Sequence, residues 1–318
     1  MTLRCAILDD YQGVSLQLAD WDALAGQVDV TVHREHIDNQ DQLVHTLKDQ
    51  QIVVIMRERT PFRADLLHRL PHLKLLITSG MRNASIDLTA AAQRGITVCG
   101  TASTSTPPAE LTWALILGLA RHLVTENNAF RTGGPWQSTV GTGLAGKTLG
   151  LIGFGKIGIQ VARVARAFDM HVTAWSANLT ADRTDPEDVR LVSKEQLLTG
   201  SDIVSVHIVL SDRTRGLIGA GELALMRPGA LLINTSRAAV VDQHALVEAL
   251  RAHQIGGAGL DVYDQEPLPA GHPLRTLPNV LATPHLGYVT DGNYRTYFRE
   301  AVENIQAFIA GTPTRTLT

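Results

Sequence analysis

Long apolar runs are missing from this chain of 318 residues. The longest, 111–120, falls far short of the ~20 residues that a helix needs to cross a bilayer, so it reads as core and no membrane partner is expected. Cysteine is nearly absent, with two residues, Cys5 and Cys99. They sit in separate apolar segments without metal-ligand spacing, which reads as buried, reduced thiols and a cytoplasmic location. No charge of one sign dominates: 28 Lys and Arg face 31 Asp and Glu, a net of −3. That balance gives no electrostatic reason to expect nucleic acid or an anionic surface. Low-complexity tracts and charge blocks are also missing. The opening segment 1–8 reads as a first strand rather than a signal peptide, since no long apolar region or cleavage site follows. The histidine pairs His33 and His36, and His68 and His72, lack a third ligand at suitable spacing, so surface histidines and no metal are expected.

What remains is an ordinary globular composition, 44% hydrophobic and 19% charged, in a chain long enough for two domains. In the first hundred residues, short apolar runs at 5–8, 52–56, 73–78 and 96–99 read as strands. Segments 15–24, 42–48, 64–70 and 88–94 carry apolar residues at helical spacing. Such alternation implies a parallel sheet with right-handed crossovers. A turn-rich junction, 101–108, then leads into an apolar helix over about 109–123. A second α/β series follows, with strands at 148–152, 171–175, 203–206, 230–234, 258–262 and 280–282. An amphipathic helix over 294–310 ends it.

The most informative residues lie where the second series begins. Strand 148–152 runs into Gly153-Phe154-Gly155-Lys156-Ile157-Gly158 and then a helix. Gly153, Gly155 and Gly158 form the G-x-G-x-x-G pattern of a dinucleotide site. The first permits the tight turn, the second lets backbone approach a pyrophosphate, and the third lets helix pack on strand. Gly150 to Lys156 also fits the opening of a P-loop, but that motif needs Ser or Thr next, and Ile157 cannot ligate magnesium. An acidic residue is expected ~20 positions on, at the end of the second strand, to hold the adenosine ribose hydroxyls. Ser176 stands there instead, which removes the charge that repels a 2′-phosphate. Asn178 and Thr180 could donate to such a phosphate, yet no Arg follows until Arg183. The cofactor reading is NAD(H) or NADP(H), leaning to NADP(H) or dual use.

Three further strand ends carry chemistry. Asn234-Thr235-Ser236-Arg237 offers a guanidinium, the segment from Asp261 to Pro267 offers three carboxylates, and Thr283-Pro284-His285-Leu286-Gly287 offers an imidazole. In open α/β sheets, ligands bind at the carboxyl edge where these segments fall. A strand-end Arg or a lone His has an ordinary structural reading taken singly. Together with the glycine turn they form a constellation.

In that order the constellation resembles the D-isomer-specific 2-hydroxyacid dehydrogenases, among them the phosphoglycerate, glyoxylate and hydroxypyruvate reductases. Family landmarks recur as Ala109-Glu110-Leu111-Thr112, Gly146-Lys147-Thr148-Leu149-Gly150, Asp202-Ile203-Val204-Ser205-Val206-His207, Thr214-Arg215-Gly216-Leu217-Ile218 and Met226-Arg227-Pro228-Gly229-Ala230. The resemblance implies an α/β fold of two Rossmann-like, doubly wound parallel-sheet domains. A flavodoxin-like substrate domain would comprise 1–102 and 287–318, and a dinucleotide-binding domain 103–286. It implies hydride transfer between NAD(P)H and a small 2-oxo acid or D-2-hydroxy acid. His285 would serve as proton donor or acceptor, Glu266 would pair with it, and Arg237 would grip the substrate carboxylate. Asp261 would hold the nicotinamide carboxamide, and Lys156, Ile157, Ile208, Thr235 and Gly287 would line the cofactor. Formate dehydrogenases of the same fold carry an amide where this chain has Glu266. Many relatives hold the substrate acid with a G-x-G loop, which here reads Ser79-Gly80-Met81-Arg82, with Arg82 in the second glycine's place. Arg57, at another strand end of that domain, could contact the acid and would suit a small or doubly charged substrate. A homodimer is implied, with the arm 127–140 as one source of apolar contacts. A dinucleotide-sensing, corepressor-like binding protein of the same fold would keep the same three residues and is the alternative.

Overall fold

The computed structural model describes residues 2–318, which fall into two compact units: residues up to Thr104 with Thr290–Thr318, and Ser105–Val289. In the first unit, β1 (Leu3–Ile7), β2 (Val28–Val32), β3 (Ile52–Ile55), β4 (Leu75–Thr78) and β5 (Thr97–Cys99) pair in parallel in the order β2-β1-β3-β4-β5. This is the flavodoxin-like winding. The strands β3 and β4 are buried at every position, as expected of a sheet covered on both faces. One face packs against the helices α1 (Gln40–Leu47), α2 (Ala64–His68) and α3 (Leu88–Gln93), through Leu43, Leu47, Leu66, Leu67 and Ala91. Asn39 and Asp87 cap α1 and α3 by accepting from backbone N–H groups of the first turn.

The second unit holds a seven-stranded parallel sheet. Its strands are β6 (Thr148–Ile152), β7 (His171–Trp175), β8 (Arg190–Leu191), β9 (Ile203–Val206), β10 (Leu231–Asn234), β11 (Gly257–Leu260) and β12 (Val280–Ala282). They run in the order β12-β11-β10-β9-β6-β7-β8. The winding reverses between β6 and β9, the topological switch point at which dinucleotides bind in such sheets. Strand residues alternate between two cores. Leu149, Leu151, Val172 and Ile233 face α4 (Thr106–Ala120) and α6 (Lys156–Ala167). Ile152, Val204, Val206 and Leu232 face the side that packs the helices Lys194–Gly200 and Gln243–Arg251.

Several segments differ from expectation, among them β8, which is not among the expected strands. Segment 15–24 is two short 3-10 turns, Ser15–Gln17 and Trp21–Leu24. The Asp10 carboxylate accepts from the Val14 and Ser15 N–H groups, and the Ser15 carbonyl accepts both from Leu18 N–H, closing a 3-10 turn, and from the Trp21 indole at 2.9 Å. The helix expected to reach 123 stops at Ala120, whose carbonyl accepts from Thr142 N–H. His122, at φ 50°, then starts a separate helix, α5 (Leu123–Arg131). Strand β2 is an addition, an edge strand paired with β1 alone. The returning helix, Asp291–Ile309, spans slightly more than expected and is capped by Thr290.

Candidate active site

Local sterics fix the glycine turn. Gly153 sits at φ 96°, and a Cβ there would meet the His207 carbonyl and Ile208 N at 2.7 Å. Gly158 faces the Gly153 carbonyl oxygen, which would lie 2.6 Å from a Cβ. Gly155 differs: nothing stands within 4 Å of where its Cβ would be. It opens α6, and no side chain caps that helix. The helix therefore presents uncapped N–H groups and a bare glycine face to solvent, as an anion requires. Burial pushes His207, behind the turn, down to about 4.

Because the sheet is parallel, the segments after β6, β10, β11 and β12 leave by one edge. Glu266 and His285 meet there, Glu266 Oε2 lying 2.6 Å from His285 Nδ1. The other oxygen of Glu266 accepts from Tyr263 N–H at 2.9 Å, which fixes the carboxylate plane. His285 has φ 55°, and the Tyr288 ring meets its imidazole edge-on at 5.5 Å. Asp261 holds this turn from below. It is fully buried, and its carboxylate accepts from Leu286 N–H at 2.6 Å, Thr283 Oγ1 at 2.6 Å and Gly287 N–H at 2.8 Å. Burial raises its pKa, and the hydrogen bonds from Thr283 and the backbone oppose that rise. With these three donors, Asp261 ties down the segment that carries His285.

Arg237 follows β10 with its backbone pinned: Asn234 Nδ2 donates to its carbonyl at 3.1 Å, and Ser236 Oγ donates to the Ile208 carbonyl at 2.7 Å. Thr235 pairs with Thr112 of α4 at 2.8 Å. Lys156 is exposed at the first turn of α6, and Ile157 is half-buried against the α4 core. Ser176 is half-buried and follows Trp175, whose carbonyl accepts the Gly153 N–H at 2.8 Å. In the first unit, Ser79, Gly80 and Arg57 form a cluster, with Arg57 N–H donating to Ser79 Oγ at 3.0 Å. Met81 is exposed beside them.

The comparisons with known proteins agree with this geometry. Residues 113–287 match the family model described as D-isomer specific 2-hydroxyacid dehydrogenase, NAD binding domain. The chain is 39% identical over 256 residues to a glyoxylate reductase of Aeropyrum pernix, covering 78% of this chain and 76% of that one. It is 35% identical over 291 residues to a hydroxypyruvate reductase of Thermotoga maritima, covering 89% and 92%. A crystal structure of phosphoglycerate oxidoreductase from Vibrio cholerae o395 superposes with a TM-score of 0.93 at 36% identity, covering 98% of this chain and 100% of that chain. The chain belongs to the D-isomer-specific 2-hydroxyacid dehydrogenases. Membership makes it an oxidoreductase that uses a nicotinamide dinucleotide to interconvert 2-oxo and 2-hydroxy acids.

For a dehydrogenase of this family, the open Gly155 face and the uncapped α6 are the features that a pyrophosphate fits. The sequence sets Arg183 aside as too far along the chain from Ser176. The chain turns back after Ser176, whose carbonyl accepts Leu179 N–H, and a short helix, Ala181–Thr184, returns the guanidinium to the glycine turn. Arg183 Nη2 donates to the Phe154 carbonyl at 3.1 Å. The expectation that no cation accompanies Ser176 is thereby corrected; only the fold-back reveals it. His36 also departs from expectation. Its Nδ1 lies 2.9 Å from the buried Asp9 carboxylate, which also accepts from Thr60 Oγ1 at 2.6 Å. Among the described residues no cluster of potential ligands could hold a metal.

Proposed function

We propose that the protein reduces a small 2-oxo acid of the glyoxylate and hydroxypyruvate class to the D-2-hydroxy acid, with His285 as proton donor. The pairing of His285 with Glu266 carries this reading. A carboxylate on Nδ1 fixes one tautomer and orients the ring, leaving Nε2 as the nitrogen that exchanges a proton with substrate. The bound nicotinamide supplies or accepts the hydride at carbon 2. Arg237 holds the substrate carboxylate, for which its planar fork is suited, and polarises the carbonyl oxygen. As charge builds on that oxygen, protonated His285 gives up its proton, and in oxidation the neutral ring takes it back. The Glu266 carboxylate, on the far ring nitrogen, offsets the imidazolium charge. In the first unit, Arg57, Ser79, Gly80 and Met81 contribute to holding the substrate acid. The relatives named as glyoxylate and hydroxypyruvate reductases support the substrate class.

Cofactor choice follows from two side chains. Ser176 brings no carboxylate to the strand end, and the Arg183 guanidinium lies at the glycine turn. A 2′-phosphate gains a cation there and meets no carboxylate from position 176, so NADPH is preferred or both cofactors serve. A second copy of the chain is the proposed partner, docked through the arm that begins at α5. The deciding experiment is initial-rate reduction of glyoxylate and hydroxypyruvate with NADPH and NADH. Binding without turnover across a broad 2-oxo acid panel would instead favour a dinucleotide sensor. Ser176→Asp shifts the NADPH/NADH ratio of kcat/KM toward NADH, and Arg183→Gln raises KM for NADPH more than for NADH. Unmoved ratios in both variants would remove the cofactor argument.

A further inference from the structure

Arg57 and Glu58 follow β3, while Ser79 and Gly80 follow the adjacent parallel strand β4, so all four leave by one edge of the first unit's sheet. Arg57 is rigidly placed. Its backbone is left-handed at φ 53°, its N–H donates to Ser79 Oγ, and its carbonyl accepts from Asn83 Nδ2 at 2.7 Å. Its guanidinium lies across Gly80, where a Cβ would stand 2.2 Å from Nη1. Gly80 is itself at φ 88°, and its N–H is spent on Thr101 Oγ1 at 3.0 Å. The acid-holding loop of this unit therefore presents a guanidinium above a glycine whose amide is already engaged. Glu58 stands beside that cation. Its Oε2 is 3.6 Å from Arg57 Nε, and the two side chains are 21% and 20% exposed. Water screens such a half-buried pair less than it screens a surface pair.

We propose that Glu58 makes the enzyme selective for the charge of its substrate: a monoanionic 2-oxo acid is accepted and one with a second anionic group is rejected. The inference rests on the proposed role of the Arg57–Gly80 loop in holding substrate. Arg57 alone would welcome a phosphate ester or second carboxylate. Paired with Glu58 it presents a neutral dipole, and the carboxylate repels any further anion that approaches. Unlike charges meeting unlike partners give little discrimination; the repulsive member supplies it. A hydroxyl on carbon 3, in contrast, finds a carboxylate acceptor next to a guanidinium. Glyoxylate and hydroxypyruvate fit these terms, and 3-phosphohydroxypyruvate does not.

The test compares kcat/KM for hydroxypyruvate and 3-phosphohydroxypyruvate in the wild type and in Glu58→Gln, an isosteric change that removes the charge. The wild type favours hydroxypyruvate by about 10-fold or more, and the variant loses about 10-fold of that ratio, as expected for removal of one like-charge contact. A wild type that prefers the phosphate ester overturns the proposal, whether or not the variant folds. An unchanged ratio in a folded variant overturns it too. Calorimetric binding of oxamate, a monoanion, and tartronate, a dianion, to the cofactor-loaded protein separates this question from turnover. Glu58→Gln strengthens tartronate relative to oxamate, and equal effects on both would refute the assignment even if no 2-oxo acid is reduced.

Discussion

His285 is held in a left-handed backbone conformation, which costs a non-glycine residue about 1–3 kcal/mol and persists only where its surroundings over-determine it. Those surroundings are visible: Asp261 grips the next two amides, Glu266 grips the ring, and Tyr288 flanks it. A ring fixed this firmly is suited to proton transfer at one nitrogen. His285→Ala is expected to lower kcat by about 10²–10⁴-fold, the usual worth of a positioned acid or base. Dinucleotide affinity, read by fluorescence titration, stays within a few fold, because the glycine turn belongs to a different strand end. Near wild-type turnover in this variant would discard the proton-donor role. The strand ends that carry Glu266 and His285 were legible as apolar runs, but their pairing was anticipated only through the family resemblance. Arg183 and Glu58 were not. Arg183 depends on a tight reversal after Ser176, and Glu58 on two strands lying side by side, and neither leaves a periodic trace in the chain.

At the scale of elements, apolar strands that feed glycine or polar turns declare themselves, and β6, β7, β9 and β12 stand where their apolar runs lie. Elements decided by long-range hydrogen bonds do not. The segment after β1 shows this: its helical spacing is real, but it closes as two short 3-10 turns tied to the buried Asp10 carboxylate and the Trp21 indole. The same region ties β1 to the loop after β2. His36 bonds to Asp9, which stands at φ 57° and accepts as well from Thr60, while Asp38 lies 3.4 Å from the other imidazole nitrogen. The Asp9 hydrogen bond raises the His36 pKa above its ordinary 6.5; burial and Arg59 oppose that, and the charges of Asp9 and Asp38 add to it. A raised folded-state pKa means that the protonated pair stabilises the fold fully below the unfolded value and loses that effect as pH rises through the folded value. His33, whose pKa burial lowers, has the opposite slope but is present in both proteins compared below. The melting temperature of wild type should therefore exceed that of His36→Gln by more at about pH 6 than at about pH 8. An equal gap at both values would show that the pair does not titrate with folding.

At the scale of the whole molecule, one group of exposed apolar side chains lies along an arm of the second unit. Leu123, Val124, Phe130, Trp136 and Val140 are all exposed, Phe130 by 70% and Trp136 by 81%, and no residue of α5 is buried. The arm is nonetheless ordered. Glu126 accepts from the Ser138 and Thr139 hydroxyls at 2.9 and 2.6 Å, and the Phe130 and Trp136 rings meet at a tilt with centroids 6.0 Å apart. A segment held by polar ties while its aromatics face water is shaped for association, since large exposed apolar clusters mark interaction surfaces and Trp and Phe are enriched in them. The proposed occupant is a second copy of the same arm, because most soluble oligomers are symmetric homodimers whose interface is self-complementary. Light scattering should then give twice the chain mass for the wild type and the single-chain mass for Phe130→Ser with Trp136→Asp. Both rings are exposed within one subunit, so the double variant should retain the subunit's own stability to about 0.5 kcal/mol per site. What it loses is the concentration dependence of melting that mass action gives a dimer. A wild type that stays monomeric at the highest concentrations, or a double variant that still pairs, would return the arm to ordinary surface.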